Sequence, residues 1–188
     1  LLEGEAFNSF GDMDLGIEYR LFKKSKHAFS TTLTLGIPSG DSKGGSDGSY
    51  QTGDGEFNQQ LRFNAGTSFS LFKHSFYGKG YLGFNNKTNN FSDEVKAGLE
   101  VGTSFVGSKL LLLLRSNMVK SLKNGSLNAS NNNGSIFANN VEFISIGGEV
   151  AWKFTKKLGL SLGYHSAISG KVIYAAPSYE AGLFYLLK

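Results

Sequence analysis

Over residues 56–72, EFNQQLRFNAGTSFSLF, apolar and polar side chains alternate. Phe57, Leu61, Phe63, Ala65, Phe69 and Leu71 share one parity, with Gln59 and Thr67 as its polar members. Asn58, Gln60, Arg62, Asn64, Ser68 and Ser70 share the other. Period two marks an extended segment lying between an apolar and a polar medium. The run is more than twice the usual strand of about five or six residues. A tilted β-segment of roughly 9–11 residues crosses a bilayer core, so the pattern predicts one stave of a transmembrane β-barrel.

The same alternation returns along the chain. Met13, Leu15, Ile17, Tyr19 and Leu21 alternate with Asp12, Asp14, Gly16, Glu18 and Arg20. After a basic turn at 23–27, Phe29, Thr31, Leu33, Leu35 and Ile37 form the next apolar face, and Pro38 stops the ladder. Residues 56–72 follow a long polar loop. A tight turn at 73–75 leads into 76–84, with Gly78 and Gly80 at expected close-approach positions. Val95, Ala97, Leu99, Val101, Thr103 and Phe105 then alternate with charged and small residues. In 109–119 the pattern blurs, because Leu111 and Leu113 share a face with Arg115 and Asn117. Ile144, Ile146, Val150, Trp152 and Phe154 mark the next strand, where Glu142 has the apolar parity and is expected at a rim or beside a bulge. Leu158, Leu160, Leu162 and Tyr164, then Tyr179, Ala181, Leu183, Tyr185 and Leu187, complete the set. Leu1 to Phe7 is read as the possible end of a further strand.

The reading gives nine strands in a single domain over 1–188, with long loops at 38–56, 85–93, 120–140 and 169–177. Short and long connections alternate without exception. In an antiparallel meander this puts short turns on one rim and long loops on the other, as in outer-membrane barrels. Single-chain bacterial barrels have an even strand number, so the expected whole is an up-and-down barrel of 10–12 strands lacking N-terminal strands and an export signal here.

Alternation also fits a soluble barrel with an apolar interior. Three features favour the membrane form. About 11 residues at 3.3 Å, tilted by 45°, give roughly the 25 Å apolar band. Nine strands exceed the eight of a lipocalin-type barrel. Aromatics fall near both ends of the apolar face: Phe57, Phe84, Tyr164 and Tyr179 toward the long loops, and Tyr19, Phe29, Phe69, Phe105, Trp152 and Tyr185 toward the short turns. Amphipathic rings suit the two membrane interfaces.

Composition narrows the picture further. Sixteen Phe, 25 Gly and 2 Pro suit long strands with Gly-rich turns. The net charge of +4 comes from scattered bases and argues against nucleic acid. With no Cys, disulfides and thiolate chemistry are excluded. No aliphatic run is longer than Leu110 to Leu114, far short of a spanning helix.

Gly11-Asp12, Leu15-Gly16, Tyr19-Arg20-Leu21, Leu35-Gly36-Ile37-Pro38, Gly40-Asp41, Thr52-Gly53-Asp54-Gly55-Glu56, Ser169-Gly170 and Ala176-Pro177-Ser178 follow one another in order. In order and spacing they resemble the outer-membrane, transporter-like family described as a putative meta-pathway protein of phenol degradation, which is compared with hydrophobic-compound channels. The resemblance implies uptake of small, aromatic or otherwise hydrophobic solutes through a porin-like barrel of a Gram-negative bacterium. It supplies no site residue.

The inward face is expected to carry Asp12, Asp14, Glu18, Glu94, Glu100, Glu149 and Glu180 against Arg20, Arg62, Lys79, Lys96, Arg115 and Lys153, seven acids and six bases. Glu18, Arg20, Arg62, Lys96, Glu100, Arg115, Glu149 and Lys153 are the lumen-lining candidates. They would line a solute passage or fill a closed barrel with ion pairs. Expected partners are membrane lipids, the small-molecule solute and the barrel-assembly machinery, with no cofactor. The acidic loop 39–56 lacks EF-hand spacing and reads as a solvated loop. The Asn-x-Ser sequons at Asn124, Asn128 and Asn133 read as loop polarity. A structural or surface-interaction barrel without transport is the alternative. A lipid hydrolase is a lesser one: His165 and Ser166 are adjacent in a strand and point to opposite faces.

Overall fold

A computed structural model of the chain describes residues 8–46, 50–126, 129, 137–173 and 176–187. Among them the chain forms nine strands and no helix: β1 Met13–Lys24, β2 His27–Ile37, β3 Asn58–Leu71, β4 His74–Lys87, β5 Glu94–Phe105, β6 Leu110–Ser121, β7 Glu142–Lys153, β8 Leu158–Lys171 and β9 Ser178–Tyr185. Each pairs antiparallel with its neighbours in sequence, giving one up-and-down sheet in the order β1 to β9. The sheet is open, because β1 and β9 are each paired on one side.

Every strand read from the alternation is present, and the differences lie at the ends. β4 runs on to Lys87, which shortens the expected loop at 85–93, and β8 runs on to Lys171. Polar residues at these ends still pair, because hydrogen bonding across the ladder does not depend on side-chain polarity. Leu1 to Phe7 lies outside the described residues, and no strand begins before Met13 among those described. Asn128 and Asn133, with residues 127 and 130–136 of their loop, also lie outside.

The turn expected at 73–75 is tighter. Phe72 and Lys73, both at positive φ (49° and 65°), join Leu71 to His74. Two left-handed central residues match the twist of a two-residue hairpin. The other short turns, at 25–26, 106–109 and 154–157, lie on the same rim, and the long connections lie on the opposite one.

The faces are sorted as the inverse of a soluble barrel. Phe63, Leu99, Val150 and Leu183 are 56%, 70%, 47% and 76% exposed. The buried set is largely polar and includes Thr32, Asn64, Asn85 and Glu94. The outer face thus presents aliphatic and aromatic side chains, and the inner face is partly covered by its own polar side chains, as inside a rolled sheet. The outer face also holds a shallow groove of about 360 Å³ beside Val101, Leu112, Leu114 and Val150, where Gly148 leaves a dip.

Glu142 resolves as expected. It begins β7 at the long-loop rim, two residues before a register shift between Ile144 and Ser145, and meets Lys120 at 2.9 Å.

Candidate functional site on the inner face

Register assembles the inner face row by row. At mid-height, Lys79 of β4 opposes Glu100 of β5, and Glu100 opposes Arg115 of β6. Arg115 holds two carboxylates with its fork of donors: Nε donates to Glu100 Oε2 at 2.6 Å and Nη1 to Glu149 Oε2 at 2.6 Å. The Tyr77 hydroxyl donates to the other oxygen of Glu100 at 2.8 Å. A charge-assisted network of this kind fixes a rigid polar belt across β4 to β7.

Two glycines make the belt possible. A Cβ on Gly98 would lie 2.2 Å from the Tyr81 ring, and one on Gly102 would lie 2.3 Å from the Tyr77 ring. Without those side chains both rings lie flat across β5. Tyr81 then reaches over that strand and donates to Asn117 Oδ1 of β6 at 3.0 Å. Gly78 and Gly80, expected to mark close approach, do so less: the nearest atoms to their Cβ positions are 3.6 and 3.1 Å away. The signal for Tyr77 and Tyr81 was present in Tyr77-x-Lys79-x-Tyr81, one parity with two aromatics, but a tyrosine on a strand is equally at home on either face.

The eight predicted lining residues share the inner face without forming one cluster. Glu100, Arg115 and Glu149 come together. Arg62 lies over the Tyr81 ring, 5.0 Å from its centre. Lys96 pairs with Glu94 at 3.2 Å, nearer the long-loop rim. Glu18 accepts from the Ser30 hydroxyl at 2.5 Å. Arg20 opposes Ser30 on exposed β1, and Lys153 opposes Gly159. Asp12 is not on the wall: its carboxylate accepts from the Gly40 and Asp54 amides at 2.9 and 3.1 Å and so clamps the loop after β2.

That loop is not simply solvated. Glu56 is 1% exposed and its Oε2 accepts from the Thr88 amide at 3.0 Å. Lys87 sits among Asp54, Glu56 and Glu94 at 3.6, 3.5 and 3.7 Å. Burial pushes the Asp54 and Glu56 carboxyls above their ordinary range, and Lys87 offsets part of that rise. Asp93 goes the other way: desolvation pushes it up, but hydrogen bonds from Asn124, the Lys87 amide and Asn86 together outweigh that and hold it low. Neighbouring loops are tied in by Ser92, whose amide donates to Asn139 Oδ1 at 2.9 Å. Among the described residues no group of three or more His, Asp or Glu side chains is arranged to hold a metal ion.

The blurred alternation in β6 has a structural meaning. Leu111 and Leu113 do face inward, and with Ala151 of β7 and Phe184 of β9 they give the β6–β9 half of the inner face an apolar stripe. Toward the long-loop rim of β7 and β8 lies a cavity of about 410 Å³ lined by Phe143, Ser145, His165, Ala167, Ile173 and Ser178. His165 approaches Glu180 at 3.7 Å, while Ser166 pairs on the ladder opposite Ile146 and has the other parity. The two do not form a nucleophile–base pair. Comparison with family models, curated proteins and solved structures returns no match to this chain.

Proposed function

We propose that the sheet is the wall of a transmembrane β-barrel in the outer membrane of a Gram-negative bacterium, and that its lumen passes small solutes with an apolar or aromatic part. The observation that carries this reading is the inverted sorting of faces. Leu99 at 70% and Leu183 at 76% exposure would each be unfavourable in water, whereas hydrocarbon accommodates them. The paired charges on the other side suit an aqueous interior.

Closure follows from strand direction. β1 and β9 both run from the long-loop rim to the short-turn rim, so an antiparallel seam needs an odd number of further strands between them. One or three give a barrel of ten or twelve. Insertion by the barrel-assembly machinery and contact with membrane lipids follow from the same reading.

The solute class rests on the amphipathic lining: the charge and tyrosine belt across β4 to β7, with apolar Leu113, Ala151 and Phe184 beside it on β6 to β9. It agrees with the expectation drawn from the phenol-degradation resemblance. Purified protein in liposomes should admit small phenols and similar solutes in a swelling assay and show discrete conductance in planar bilayers. Absence of flux and of conductance in correctly inserted protein would reject the passage. The well-tied long loops would then favour a surface-interaction barrel.

A further inference from the structure

We propose that the short-turn mouth of the inner face holds a binding site for the carboxylate of a small organic anion. This deepens the lumen reading above and rests on it for the solute's route, but not for binding itself.

The site is created by a bulge. Parity alone puts Lys23 with Tyr19 and Leu21 on the outer face. The register of β1 shifts between Arg20 and Phe22, so Phe22 opposes Phe29 and Lys23 opposes Ala28. Such a shift re-aims the side chains beyond it. Phe22 turns outward onto Phe29, with ring centres 6.0 Å apart, and Lys23 turns inward. Lys23, Ala28, Gly66 and Lys79 then stand in one row across four strands.

The two middle members are small, so the row is a hollow between two lysines. The cavity there measures about 300 Å³ and is lined by Lys23, Lys26, Ala28, Gly66, Ser68 and Lys79, among others, with no acidic side chain in its lining. A Cβ on Gly66 would still find its nearest neighbour, the Gly78 carbonyl oxygen, 3.8 Å away.

The nearby acids are committed elsewhere. Glu100, opposite Lys79, is held by Arg115 at 2.6 Å and by Tyr77 at 2.8 Å. Glu18 takes the Ser30 hydroxyl. Among the described residues no carboxylate is within ion-pairing distance of Lys23, Lys26 or Lys79. Lys23 and Lys26 have no carboxylate partner among the described residues, and Lys79 acts on Glu100 through space without a direct contact, since Arg115 and Tyr77 occupy that carboxylate; ammonium groups so placed around a small hollow recognise an oxyanion. Tyr77 lines the hollow, and its ring lies over Gly102 beside Leu113 of the apolar stripe, which gives an apolar body a surface to lie on, so the occupant is an aromatic or aliphatic monocarboxylate.

The test uses the folded protein in micelles, with benzoate, benzyl alcohol and inorganic phosphate titrated calorimetrically. Benzoate should bind saturably, about tenfold or more tighter than neutral benzyl alcohol, since charged hydrogen bonds carry that difference. K23Q/K79Q should weaken benzoate about tenfold. K156Q/K157Q removes equal charge from the same rim and should leave benzoate binding nearly unchanged. Heat-modifiable gel mobility checks that each variant is folded. If K23Q/K79Q is unfolded, the single variants K23Q and K79Q carry the same comparison. Equal binding of benzyl alcohol, equal weakening by both double variants, or saturable phosphate with no benzoate binding would overturn the site. Intact benzoate binding with no bilayer conductance would reject the passage alone; conductance without benzoate binding would reject the site alone.

Discussion

Leu99→Arg separates a lipid-facing surface from a water-facing one. Leu99 lies at the middle of β5, with its side chain on the outer face against Gly80 and 70% exposed. No polar group waits there for a guanidinium. If that face meets hydrocarbon, an arginine at mid-depth costs about 2–4 kcal/mol, or roughly 30- to 1,000-fold in the folding equilibrium at 1.36 kcal/mol per decade. If it meets water, an exposed substitution stays within about 0.5 kcal/mol. Leu158→Arg serves as the depth control, because Leu158 opens β8 at the short-turn rim and an interfacial arginine costs only about 0–1 kcal/mol. The assay is reversible guanidinium unfolding in phospholipid vesicles, followed by tryptophan fluorescence from Trp152. A loss near 3 kcal/mol for Leu99→Arg with little change for Leu158→Arg is expected. Equal effects at both positions, or no effect at Leu99, would refute the lipid-facing assignment.

Three further outcomes follow. Gly98→Ala places a Cβ 2.2 Å from the Tyr81 ring, so it should cost about 1–3 kcal/mol by overpacking and release the tyrosine from Asn117; near-neutral unfolding would contradict the contact. Arg115→Ala leaves Glu100 and Glu149 facing each other without their cation, so it should shift ion preference toward cations in a reversal-potential measurement and cost about 1–3 kcal/mol; unchanged preference would remove Arg115 from the conduction path. Glu56 has a raised carboxyl pKa, so between its unfolded value of 4.5 and that higher folded value the native state binds more protons, and stability contributed by this group falls as pH rises. Glu56→Gln should flatten that slope in thermal unfolding from pH 4.5 to 7; an unaltered slope would assign it to other groups.

Strand number and direction, and which residues share a face, were legible in the chain because a period of two survives wherever the two faces of a strand meet different surroundings. Even the blur at Leu111 and Leu113 was a faithful signal, of apolar side chains on the inner face of β6. What was not legible depends on register. Nothing in the parity of Lys23 reveals that a shift two residues earlier turns it inward. The Arg115 network needs three strands aligned to within a residue, and the flat tyrosines need glycines on the strand beside them. The rim cluster around Lys87 was missed for a different reason. A loop of Gly, Ser and Asp looks solvated until its carboxylates are seen to converge on a strand terminus.

The meander has a consequence for assembly. Every ladder from β1 to β9 joins strands adjacent in sequence, so the four tight hairpins can form first and then pair across the longer loops. Under the barrel reading, with the further strands lying between β9 and β1, a single joint connects distant parts of the polypeptide. That joint should be the last to form and the first to part, which makes crosslinks across it the natural handle for trapping an unfinished barrel.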